Sequence, residues 1–133
     1  MKSKAVLSQV EIGQILSAAG AEALNNKWAV TIAIVDDGGH PLALERFDGC
    51  APISAYIATE KARTAALGRR ESKGYEDMVN SGRHAFLSAP LLTSLEGGVP
   101  IVVDGQVVGA VGVSGVKAEQ DAQVAKAGAQ CLS

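Results

Sequence analysis

His40 and His84 are the only imidazoles in the chain. His40 follows the turn-forming run Asp37-Gly38-Gly39, where a ring can reach an iron, a substrate proton or a carboxylate. Its plainer role is that of a turn histidine bonded to backbone. His84 lies in a stretch with no helical or strand period and has no comparable setting. Arg46 and Asp48 flank Phe47, so they either pair with each other or leave the guanidinium open to an anionic ligand. Glu60, Lys61 and Thr64 fall on a helical run, with Glu60 and Thr64 one turn apart. A solvated helix face is the default there, although a lysine among alanines can be partly desolvated and hold a carboxylate.

Other chemistries are excluded by pattern. The glycines Gly97, Gly98, Gly109, Gly112 and Gly115 form no G-x-G-x-x-G between a strand and a helix, and no G-K-[ST] is present, which argues against phosphate cradling. No G-x-S-x-G nucleophile elbow occurs. Cys50 and Cys131 are far apart, with neither CxxC nor a Cys/His cluster, so they read as free thiols of a reducing compartment. Metal-ligand spacing is missing. A formal net charge of -2 over 133 residues gives no electrostatic footprint for nucleic acid. Lys2 and Lys4 precede AVLSQVEIGQIL, whose polar and acidic positions rule out a signal-peptide core. With no membrane-length apolar run either, a cytoplasmic protein is expected.

The length fits one domain spanning residues 1–133. Hydrophobic residues make up 47% and aromatics only 4%, so the core must be aliphatic and alanine-rich, with closely packed elements. Ser8-Gln9-Val10-Glu11 fits a capping box, and an apolar near-helical period follows to about Asn25. Trp28 to Asp36 reads as a strand, with Trp28, Val30, Ile32 and Ile34 on one face and smaller residues on the other. His40 to Phe47 returns as a second strand, with Leu42 and Leu44 on one face, and Pro41 suits its start or a sheet edge. Ser54 to Leu67 is a helix with a stripe of Ala58, Ala62, Ala65 and Ala66, leaving Glu60, Lys61, Arg63 and Thr64 on its surface. Tyr75 to Asn80 suggests further helical turns, Ser81 to Leu95 a short helix and loop leading into a strand before Gly97, and Ala118 to Cys131 a last helix.

Gly97 to Gly115, GGVPIVVDGQVVGAVGVSG, carries the strongest local signal. Two β-branched runs meet at Asp104-Gly105, the pair favoured in a type I′ turn because both central residues need positive φ. The register then pairs Val103 with Gln106, Val102 with Val107 and Ile101 with Val108. One face carries Val99, Ile101, Val103, Val108 and Ala110, and the other Val102, Val107, Val111 and Val113. Neither is polar, so both should be covered. A single layer of helices cannot do that, which predicts a homo-oligomer, at least a dimer. The element order is that of an α+β fold around a mostly antiparallel sheet.

Three ordered stretches carry a family resemblance: DDGGHPLALERFDGCAP, KARTAA, and GGVPI with VVGAVGVSG and EQD. Together they resemble the GlcG/HbpS family, which also supplies the C-terminal domain of PduO-type adenosyltransferases, over roughly residues 8 to 131. The resemblance implies a profilin-like architecture, with a central sheet of about five strands and helices mainly on one side. It also implies a small-ligand binding module, a homo-oligomeric accessory protein, up to an octamer as in some relatives, for haem or another tetrapyrrole or for a small anionic ligand. The expected groove is bounded by the Gly-Gly turn, the KARTAA helix and the hairpin, with His40, Arg46, Glu60, Lys61, Thr64, Gly97 and Gly98 as its ligand-binding residues. The rival expectation is an enzyme acting on a small oxygenated acid or aldehyde, with His40 as acid/base and Arg46 or Lys61 holding the anion.

Overall fold

The computed structural model describes residues 1–133. It has four helices, α1 (Gln9–Asn25), α2 (Ile53–Gly68), α3 (Lys73–Asn80) and α4 (Ala118–Ala129), and a short 3-10 turn at His84–Ser88. Its four strands are β1 (Thr31–Asp36), β2 (Pro41–Arg46), β3 (Gly98–Val103) and β4 (Gln106–Ser114). They form one antiparallel sheet in the order β2-β1-β4-β3. The α+β expectation holds, with four strands instead of about five because the residues before Gly97 do not pair.

The helices occupy both faces. Ile15, Ala19 and Ala23 of α1 and Val124 and Ala125 of α4 pack with Ile32, Ile34, Val99, Ile101, Val111 and Val113 on one side. On the other, the alanine stripe of α2 packs on Ala33, Val35 and Ala110. Large residues thus meet two helices on one face while small ones let α2 sit low on the other, which corrects the one-sided arrangement. The hairpin's two apolar faces are therefore covered by the chain itself, and the assembly argument drawn from them lapses.

α1 starts as its capping box predicts: the Glu11 carboxylate accepts the Ser8 N–H at 3.0 Å. α2 starts just before Ser54, with Pro52 at its N-cap position, and Ser54 is buried, its hydroxyl bonded to that of Thr31 at 2.7 Å. The Asp104-Gly105 turn forms as read, with φ of 51° and 74°. Val103 pairs with Gln106 and Val102 with Val107, but a bulge then sets Ile101 opposite Gly109. The extra residue reverses the alternation. Val108 stays on the face of Ile101, while Val111 and Val113 join it there and Ala110 turns to α2. No helix is long and apolar enough to cross a membrane.

Candidate functional site

The turn after β1 holds His40 firmly at its root and freely at its tip. Asp36 Oδ1 accepts the N–H groups of Gly38 and His40 at 2.9 and 3.0 Å, and His40 Nδ1 lies 3.1 Å from the same oxygen. Burial pushes the Asp36 carboxyl up, but those donors and the adjacent imidazole outweigh it and hold the group below the usual aspartate range. The carboxylate fixes the tautomer: with the proton on Nδ1, Nε2 presents its lone pair to solvent. The side chain is 78% exposed.

His40 borders an open apolar face. Pairing of Ala33 with Leu44 puts Leu42 and Leu44 on the α2 side of the sheet. They remain 39% and 48% exposed because α2 lies over the neighbouring strands and leaves β2 as an uncovered edge. Gly39 lies against the aliphatic stem of Arg63, so the flank of α2 bearing Arg63 turns toward β2. Thr59 and exposed Tyr56 share that flank by helical spacing. The β2 edge with Leu42 and Leu44, the His40 turn and the α2 flank with Arg63 and Tyr56 thus lie on the same side of the sheet, with Glu60 paired to Arg63.

The other expected ligand residues lie elsewhere. Lys61 is 4% exposed, and its ammonium lies 3.1 Å from Asp121 and donates to the Val113 carbonyl at 2.9 Å. Thr64 is buried too, donating to the Glu60 carbonyl and accepting the Thr93 N–H at 2.8 Å. Neither is on the helix surface where the alanine period placed it. Gly97 and Gly98 press on Lys61: a Cβ at Gly97 would stand 2.8 Å from its Nζ, and one at Gly98 would overlap its backbone. Lys61, Gly97 and Gly98 do come together, but as a closed joint between α2 and the hairpin, while Thr64 is tied to the segment before it through Thr93. Gly109, Gly112 and Gly115 similarly admit backbone, of Val35, Ala58 and Ala29. Arg46 lies at the far end of β2 from His40, beside the largest cavity, with Trp28 and Phe47. His84 is exposed on the 3-10 turn, Cys50 is half-buried and Cys131 exposed, and both cysteines are free.

The sequence pattern does not mark Asp36, Arg63, Leu42 or Leu44 as site residues. Asp36 stands four positions before His40, a local signal; for Arg63 the only trace is the glycine at position 39. No group of three or more His, Cys, Asp or Glu side chains is arranged to hold a metal ion.

The model of the family described as haem degrading protein HbpS-like matches residues 7–130. Protein GlcG of Escherichia coli strain K12 is 68% identical over 114 residues, covering 86% of this chain and 85% of the relative. The crystal structure of HbpS superposes with a TM-score of 0.90 at 28% identity, covering 100% of this chain and 94% of that one. A crystal structure of a PduOC:heme complex gives a TM-score of 0.85 at 26% identity, covering 96% and 95%. The match over residues 7–130 and the 68% identity over 114 residues show that the chain belongs to the HbpS-like family.

Proposed function

We propose that the protein is a homo-oligomeric accessory protein that binds haem or a related tetrapyrrole on the open face between β2 and α2. The observation that carries this reading is the Asp36-oriented His40, whose Nε2 is free beside exposed Leu42 and Leu44. An imidazole held in one tautomer by a carboxylate suits a ligand to haem iron. The leucines and Tyr56 offer an apolar plane to a macrocycle, and Arg63 a cation to a propionate. Held by His40 and met by Leu42, Leu44, Tyr56 and Arg63, haem would supply redox chemistry at its iron. The haem complex of a structural relative and the description of the family support the same ligand class. The face is open on one side, so a second copy of the chain would complete the enclosure that a large apolar ring requires.

The test is titration of the purified protein with haemin. Wild type is expected to give a saturable Soret band at micromolar concentration; His40→Ala should shift or abolish it and His84→Ala leave it unchanged. An unchanged spectrum in His40→Ala removes that ligand assignment, and no binding by wild type removes the tetrapyrrole. The Asp36–His40 dyad also favours a second reading, a general base for a small oxygenated acid or aldehyde. Turnover lost in His40→Ala with haem affinity absent from wild type would select it.

A further inference from the structure

The largest cavity, about 510 Å³ and widely open to solvent, lies away from His40, between the C-terminal end of α1 and the end of β2. Its volume is that of a site for a small organic molecule. Lys27, with φ of 59°, ends α1 and turns the chain, and the Trp28 N–H donates to the Ala23 carbonyl at 2.9 Å. The Phe47 N–H reaches the Val30 carbonyl at 2.9 Å. These bonds fix the backbone on both sides of the cavity. The chain's single tryptophan and one of its two phenylalanines, both half-buried, therefore share its lining with Leu24.

Four exposed charges complete the wall: Lys27 and Arg46 are cations, Glu45 and Asp48 anions. None of the four is among the chain's ion pairs, which join Lys4 to Asp37, His40 to Asp36, Lys61 to Asp121, Arg63 to Glu60, Lys73 to Asp77 and Lys126 to Glu71. Two unpaired charges of each sign around an aromatic floor match a ligand that carries both signs and a ring. A simple anion would meet Glu45 and Asp48 as well as its cationic partners, and a simple cation would meet Lys27 and Arg46.

We propose that this cavity binds a small aromatic zwitterion of the α-amino-acid type, its ring against Trp28 and Phe47, its carboxylate toward Arg46 and Lys27, and its ammonium toward Glu45 and Asp48. The site is separate from the His40 face and stands whether or not that face binds haem.

Trp28, the sole tryptophan, reports directly on occupancy. The full chain, excited at the red edge of indole absorption, is titrated with L-phenylalanine, and in parallel with phenylacetate and phenethylamine, which keep the ring and one charge each. The expected result is a saturable change with half-saturation below about 1 mM for phenylalanine, and binding weaker by about tenfold or more for either analogue. Arg46→Ala and Asp48→Ala, at exposed positions, should each weaken phenylalanine binding about tenfold while the far-ultraviolet circular dichroism stays that of wild type. No saturable change with phenylalanine up to about 10 mM overturns the site. Phenylacetate or phenethylamine binding as well as phenylalanine overturns the zwitterion.

Discussion

The Lys61 ammonium and the Asp121 carboxylate stand 3.1 Å apart, with 5% and 4% of their side chains exposed, and clamp α2 to α4 across the end of the hairpin. Lys61 also holds the Val113 carbonyl, and Asp121 accepts the Val116 N–H at 3.1 Å. Burial drives the Asp121 carboxyl up, and the lysine opposes it without fully offsetting it. A pair enclosed this way contributes chiefly through the cost of breaking it. Lys61→Ala should lower stability by about 3–5 kcal/mol, and Lys61→Met with Asp121→Leu should recover most of that loss. Urea unfolding of both variants checks it; equal losses in the single and double variants would mean that no uncompensated charge is at issue.

The glycines of the hairpin act by two mechanisms that substitution separates. At Gly105 a Cβ meets nothing within 4 Å, but φ is 74°, so Gly105→Val should cost about 1–3 kcal/mol from backbone strain. Gly112→Ala would drive a methyl into the Ala58 carbonyl and lift α2 from the sheet, costing about 3 kcal/mol or more. Thermal melts that rank Gly105→Val as the more damaging would contradict this assignment of close approach.

What was legible in the sequence followed from local chemistry. The Asp104-Gly105 turn announces itself because positive φ restricts residue choice, and the alanine stripe of α2 because its period matches a helix against a sheet. The bulge opposite Ile101 leaves no such trace. Valines and glycines are acceptable on both faces of β4, so slipping by one residue does not put a polar side chain in the core, and the pattern cannot report it. Lys61 looked like a surface residue because its partner lies 60 positions away. The same distance effect hid the site: His40 was visible, but Leu42, Leu44, Tyr56 and Arg63 become one face only through the sheet order and the contact of Gly39 with Arg63.

The Asp36 carboxyl is held below its usual range in the folded chain, so its protonation favours unfolding. Its contribution is complete above the unfolded-state value and is lost as pH falls through the lower folded-state value. Stability of wild type should therefore fall more steeply than that of Asp36→Asn between about pH 5 and pH 2. Chemical denaturation across that range reads the difference; parallel curves would show that the turn donors do not favour the ionised form.

Since α1, α4 and α2 cover both faces of the hairpin, the proposed self-association must draw on other surface. Beside the uncovered β2 edge, Leu42, Leu44 and Tyr56 all stand out of the core. Exposed residues of this kind on one contiguous face mark an interaction surface. Val102 on β3 is 51% exposed as well, but it lies at the opposite edge of the sheet. Leu44→Glu and Tyr56→Glu should shift the oligomer toward monomer by at least about tenfold in dissociation constant, since each sets an unpaired charge in the contact. Val102→Glu should leave assembly unchanged. Light scattering after size exclusion measures the mass, with circular dichroism confirming that each variant folds. A wild-type monomer at micromolar concentration, or loss of assembly in Val102→Glu alone, would exclude this face as the interface.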